Sequence, residues 1–229
     1  MLKNPLRAAL GVTSKMTTSE VSIFGSGKTF YSADTGWTSK EESAPLLTNA
    51  GATYDTSSNK AHAFAFTKPT AFPIHSRGNA KISEIIVPSG SLDETYKRYA
   101  EFTISGDFRS RIAAYGSASA SYDIDLFLAN ATTNEEIDRY TIKSKNADFA
   151  HFSDVDEVSF EASVSGELEQ YNEYRVGVAI NTFAANRTVP SAPTPFASGA
   201  NVSDEPSSFN GYAKWDSIKL EWNGEAEKI

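Results

Sequence analysis

The chain contains no cysteine among its 229 residues. That absence excludes a disulfide framework, a thiol nucleophile and thiolate metal sites, and it leaves stability to packing. Basic charge is also short. The 21 Lys and Arg face 29 Asp and Glu, for a formal net charge of −8 and a pI near 5.0. Binding to a phosphate backbone needs concentrated cationic surface that releases counterions, so nucleic acid is not an expected partner. No apolar run approaches the roughly 18 residues of a membrane-spanning helix. Near the start, Lys3, Arg7 and Lys15 flank an uncharged apolar stretch of only Ala8 to Val12. A secretion signal needs a core of roughly 7 to 15 residues, so none is expected here. Action outside a cell would then follow lysis, a dedicated export machine or carriage in a particle.

Catalytic signatures are scarce as well. His62, His75 and His151 lie far apart, with no HExxH or His-x-His pair to put two imidazoles on one metal. No GxSxG elbow occurs. The string FGSGKT at Phe24 to Thr29 resembles a phosphate loop, but Ser22 stands where the motif needs its first glycine and FYSADTGW follows where it needs a helix. A glycine turn between strands is the better reading. A pair of carboxylates can hydrolyse glycosides at a spatial separation that sequence spacing does not reveal, but 29 acidic residues would supply such a pair by chance. No enzymatic activity is expected.

What the chain has is aromatic bulk and alternation. Its 14 Phe, 10 Tyr and 3 Trp supply enough apolar surface for a core. YDIDLFL puts Tyr122, Ile124, Leu126 and Leu128 on one face, with Asp123, Asp125 and Phe127 on the other. EVSFEASV places Val158, Phe160, Ala162 and Val164 inward, and EYRVGVAI does the same for Tyr174, Val176, Val178 and Ile180. EVSIF, AHAFAF with His62, Phe64 and Phe66 on one side, and AKISEIIV up to the breakers Pro88 and Gly90 read as further strands. Ser91 with Glu94 forms a capping box for one helical turn before RYAEFTIS returns to strand. In YAKWDSIKLEW the parity shifts, and a bulge near Asp216 would reconcile Ala213 and Trp215 with Ile218, Leu220 and Trp222. These strands, separated by short turns, predict an all-β, antiparallel β-sandwich, jelly-roll-like, with solvated outer faces.

Residues 1–19 read as an N-terminal arm or short amphipathic helix, with Leu2, Leu6 and Leu10 on one side. Residues 20–229 read as one sandwich domain with long loops at 32–60 and 184–211. The second loop is rich in proline and small residues, and so long a loop is commonly functional or disordered.

The succession DIDLFL, NEYRVGVAI and KWDSIKLEW, over Tyr99 to Trp222, is similar to that of non-catalytic β-sandwich modules. These include carbohydrate-binding modules, pre-peptidase-type C-terminal domains and accessory proteins of virus heads and tails. The resemblance implies a fold; sandwiches host many unrelated roles.

Two sets of candidate site residues follow. Asp123 with Asp125, and Asp154 with Asp156, could offer oxygen ligands to a structural calcium ion, the alternative being a solvated acidic face. No other cofactor is expected. Trp37, Tyr31, Tyr54 and Trp215 could form an aromatic platform for a sugar or a protein partner, the alternative being caps on the core. The expected role is a non-enzymatic structural or binding subunit of a larger assembly, a virion head-decoration, tail or fibre-associated protein, located in the virion or extracellularly. Its partners would be copies of itself and other subunits, engaged through the arm and the 184–211 loop. The alternative is a carbohydrate-binding module, which predicts a shallow groove with exposed coplanar aromatics.

Overall fold

Side chains that alternate inward and outward at a period of two are compatible only with extended backbone. The computed structural model describes residues 18–68, 72–91, 93–114, 118–148, 152–186, 198–202 and 211–229, with backbone alone at 152–153 and 198–202. Among these residues there are thirteen strands and no helix. They are β1 (Ser19–Ser22), β2 (Lys28–Phe30), β3 (Thr35–Glu42), β4 (Thr48–Asp55), β5 (Lys60–Thr67), β6 (Ile74–Ser89) and β7 (Tyr96–Ala114). After these come β8 (Ala118–Asn130), β9 (Glu136–Asp148), β10 (Phe152–Glu169), β11 (Tyr174–Asn186), β12 (Ser198–Val202) and β13 (Tyr212–Lys228).

The strands form two packed sheets, a β-sandwich. Sheet A runs β1-β6-β11-β8-β9, and β3 joins it on β6. Sheet B runs β10-β7-β12-β5-β13-β2, with β4 on β5 and β13 also along β7. Pairing is antiparallel except between β1 and β6. The long β6 carries β3 along its first half and β1 near its end, with Val21 opposite Pro88. Between the two, Asp34 substitutes for a strand: its Oδ2 accepts from Ile85 N at 3.0 Å and its own N–H donates to Ser83 O.

The core lies between the sheets. Tyr122, Ile124, Leu126 and Leu128 of β8 and Tyr174, Val176, Val178 and Ile180 of β11 are all buried there, as the alternation predicts. Phe102, Ile104, Phe108, Ile218 and Leu220 face them from sheet B. Each such side chain contributes about 1.5–3 kcal/mol on leaving water. At the β5 end the inward residues shrink to Ala61, Ala63 and Ala65, and the sheets close up. A Cβ at Gly78 of β6 would lie 2.5 Å from Phe64 O and 2.6 Å from Gly51 O, so only glycine fits that approach.

The bulge in β13 is present, as a register shift between Trp215 and Ser217. It turns Trp215 inward together with Ile218, Leu220 and Trp222 and leaves Asp216 outside. The FGSGKT string is a glycine turn between β1 and β2. Gly27 has φ +99°, and Lys28 lies over the Phe30 ring rather than at a helix start.

Several expectations need correction. The 32–60 stretch is not a loop: it holds β3 and β4, whose polar sequences lack an apolar face because both lie at sheet edges and are held by backbone bonds to β6 and β5. Among the described residues no helical turn is present around Ser91 and Glu94; Ser91 Oγ accepts from Asp93 N at 3.4 Å, and extended chain resumes at Tyr96. In β5 the phenylalanine side is outward and half-buried, while the alanines face the core. On β10, Val164 and Leu168 are buried but Val158 is 42% exposed, because this edge strand is paired only to β7 and its first half overhangs the core. The 184–211 stretch begins inside β11 and contains β12, which pairs β5 and β7. The rest of that stretch, His151 and residues 1–17 lie outside the described residues.

Candidate functional site

The outer face of sheet A differs from a plain solvated sheet. Outward residues of successive strands form cross-strand rows because paired residues share a face. Trp37 of β3 stands beside Lys81 of β6, and across Ala179 of β11 lies Asp125 of β8, opposite Thr141 of β9. The next row toward one end holds Ser39, Asn79, Asn181 and Asp123. The row on the other side holds Thr35, Ser83, Gly177 and Phe127.

Two depressions of about 470 Å³ each flank the Lys81–Asp125 row. The first is lined chiefly by Trp37, Lys81, Phe127, Asn134 and Arg175. The second is lined chiefly by Arg77, Asn79, Asp123, Arg139, Asn181 and Phe183. Together they make a shallow trough along the strands. Gly177 puts no side chain into the row of Thr35, Ser83 and Phe127, and a Cβ there would meet Ile82 O at 2.0 Å.

Asp125 holds this face together. Although it points outward it is only 2% exposed. Its Oδ1 accepts from Thr141 Oγ1 at 2.7 Å, and its Oδ2 from Arg139 Nη1 and Asn181 Nδ2, each at 3.3 Å. Burial pushes its carboxyl pKa above the ordinary value, against the pull of Thr141 and Arg139. Phe127 is 3% exposed on the same side, with Lys81 Nζ 5.0 Å above its ring centroid. Arg77 lies over Phe183 in the same way, 5.5 Å from its centroid. Asp123 makes no hydrogen bond or ion pair among the described residues and lines the second depression.

The expected site residues are only partly brought together. Trp37 is 52% exposed and stands at the rim of the first depression. Tyr54 packs its ring on Gly36, which points to the other side of β3, so the two aromatics share no platform. Tyr31 is exposed beyond β2, where its carbonyl accepts from Asn59 Nδ2 at 2.8 Å. Trp215 is 0% exposed and belongs to the core, because the β13 bulge rotates it inward. The acidic residues divide in the same manner. Asp123 and Asp125 lie on sheet A, whereas Asp154 and Asp156 lie on β10 of sheet B. Lys145 Nζ donates to both Asp154 and Asp156, the latter at 2.8 Å, and Tyr122 Oη also donates to Asp156. Among the described residues no group of three or more His, Cys, Asp or Glu converges as a metal site.

Lys81, Arg175, Asn134, Asn79 and Asn181 were not singled out by sequence. For Lys81, Arg175, Asn79 and Asn181 the only mark there is an outward position in a strand, and the register that collects them comes from strands far apart in the chain; Asn134 sits in the turn between β8 and β9, with φ +57°.

No protein-family model matches the chain, and no curated protein matches its sequence. Among solved structures it is similar to the CBM22-1 and GH10 modules of Clostridium thermocellum endo-1,4-β-D-xylanase 10B complexed with xylohexaose, at 12% identity over 81% of this chain and 26% of that one, TM-score 0.23. It is also similar to the infectious bursal disease virus Gt strain structure, at 7% identity over 88% and 45% of the two chains, TM-score 0.24. A third is the family 11 carbohydrate-binding module of C. thermocellum in complex with a β-1,3-1,4-mixed-linked tetrasaccharide, at 10% identity over 85% and 87%, TM-score 0.20. The chain thus spans less than half of the first two. The likeness is a weak architectural one without a shared motif, and the assignment of a β-sandwich rests on the two packed sheets themselves.

Proposed function

We propose that this chain is a non-enzymatic binding protein that takes a saccharide on the outer face of sheet A. The observation that carries this reading is Trp37, half exposed at the rim of a trough whose amides and cations are only partly engaged. A pyranose offers an apolar C–H face and a rim of hydroxyls. An exposed indole takes the face, and side chains such as Asn79, Asn181 and Asp123 take the hydroxyls. One exposed tryptophan replaces the expected pair of coplanar aromatics, since Phe127 serves as floor.

Binding is favoured over hydrolysis by the state of Asp123 and Asp125, the carboxylates of β8 on this face. Both oxygens of Asp125 are engaged by donors, which leaves Asp123 without a free partner to complete an acid and base pair. Assembly into a larger particle is a second reading, favoured by Val155 and Val158 exposed on the edge strand β10 and Tyr140 exposed on β9. An edge strand with apolar side chains can pair with a neighbour's backbone.

Titration against a panel of neutral and acidic oligosaccharides, with product analysis for cleavage, tests the first reading. It expects binding that Trp37→Ala weakens, and no hydrolysis. Light scattering behind size-exclusion chromatography tests the second. A protein that binds no glycan and associates through β10, with Val158→Asp abolishing association, would replace the saccharide reading by the assembly one.

A further inference from the structure

The first depression has a charge opposite to that of the chain. In a protein of net charge −8, its lining includes Lys81 and Arg175 and no carboxylate. Lys81 makes no hydrogen bond or ion pair among the described residues, only its contact with the Phe127 ring. Arg175 Nη1 donates to Asn134 Oδ1 at 3.1 Å, while its Nε is buried without a partner. Burial, and after it the nearby Arg139, depresses the pKa of Lys81, with Arg175 adding to this and the carboxylates of Glu136 and Asp125, both already paired to Arg139, opposing it. Partly buried cations that make no direct ion pair are unfavourable unless something compensates them. On the outside of sheet B, Lys97 pairs with Glu167 at 3.0 Å and Lys219 with Glu221 at 2.7 Å. Elsewhere on that sheet Lys28 and Lys60 rest on the rings of Phe30 and Tyr212 and line neither of the two depressions.

We propose that the trough selects an anionic saccharide, whose acidic group is held between Lys81 and Arg175 while its ring lies on Trp37. This rests on the saccharide reading above and names the ligand class. The two depressions divide the ligand between them. In the second, Arg139 is already paired to Asp125 and Glu136, Arg77 lies on the Phe183 ring and Asp123 accepts from hydroxyls, so the acidic unit belongs at the Trp37 end and neutral units extend toward Asn79 and Asn181. An arginine with free donors suits a carboxylate or sulfate better than a neutral hydroxyl.

The test is calorimetric titration of the full chain with a galacturonic acid tetramer, its carboxyl-reduced neutral counterpart and inorganic sulfate. The expected result is at least about tenfold tighter binding of the acidic tetramer than of the neutral one, narrowing as salt is raised. The preference should vanish in Lys81→Gln/Arg175→Gln while residual neutral binding persists, and Lys81→Gln alone should halve the salt slope if the double variant melts early. Equal binding of both tetramers would overturn the anionic inference and leave the saccharide reading standing. Failure of the whole neutral and acidic panel would overturn both. Sulfate bound as tightly as the acidic tetramer would leave a bare anion site and remove the sugar.

Discussion

The outer faces of the two sheets are made from similar residue types and behave differently. On sheet B, polar side chains meet across strands: Ser105 with Ser217 at 2.8 Å, Thr103 with Ser163 at 3.2 Å, Tyr99 with Ser165 at 2.7 Å, and Lys97 with Glu167 at 3.0 Å. Their hydrogen-bonding capacity is spent within the sheet. On sheet A, Lys81, Arg77 and Asp123 have no polar partner among the described residues, Arg175 has an orphan donor, and a tryptophan stands above them. A face that satisfies itself has little to offer a ligand, and a face that does not keeps polar groups available for one.

The largest expected effect separates two tryptophans. Trp215→Ala, in the core, should cost about 3–5 kcal/mol in chemical denaturation, whereas Trp37→Ala should leave stability within about 0.5 kcal/mol. Two carboxylates sharpen the contrast between satisfied and orphaned groups. Glu84 lies on the inner side of β6, beside Asp34 and Ser19, with Oε2 unpartnered. Burial pushes its pKa up to about 7 from 4.5. Its folded form therefore binds a proton more tightly than the unfolded chain does. The stability this contributes is fully present below pH 4.5 and is lost as pH rises through about 7. The loss should be on the order of 3 kcal/mol across that window, read by urea denaturation at stepped pH, and Glu84→Gln should flatten the profile.

Asp125, by contrast, has donors on both oxygens. Asp125→Ala should cost about 2 kcal/mol by leaving Thr141, Asn181 and Arg139 without their acceptor, and Asp125→Asn should cost less. Trp37→Ala should weaken saccharide binding about tenfold, equivalent to about 1.4 kcal/mol, measured by titration. The smallest effect belongs to sheet B: Thr103→Ala or Ser163→Ala should change stability by less than about 0.5 kcal/mol and leave binding unaltered. A binding loss in either variant would show that the two faces are not functionally distinct.

The central strands were legible because both of their registers carry a strong signal. Alternation in β8 and β11 identifies the core residues directly, and the parity break in β13 locates the bulge at Asp216. The edge strands β3 and β4 were not legible. In β3 and β4 the backbone is held by a neighbour while side chains remain small or polar, so nothing in TGWTSKEE or TNAGATYD marks a strand. In β9 the apolar residues Ile137, Tyr140 and Ile142 do not alternate, and register shifts against β8 fall at Ile137 and Ile142. Of the candidate site, Trp37 and the outward pair Asp123 and Asp125 could be named. Trp215 was misassigned to an exposed face because a bulge changes which face a register addresses, and the degree of that rotation depends on β7 beside it.

Sequence alone determined the β class, the inward faces of the central strands and the exclusion of thiol chemistry, because local periodicity and composition are properties of short segments. Tertiary structure decided the rest. Trp37, Lys81, Arg175 and Asp123 come from β3, β6, β11 and β8, and only cross-strand register puts them on one face. Whether an outward charge is paired, as Lys97 is, or left open, as Lys81 is, depends on which distant residue the neighbouring strand places beside it, and no local pattern encodes that neighbour.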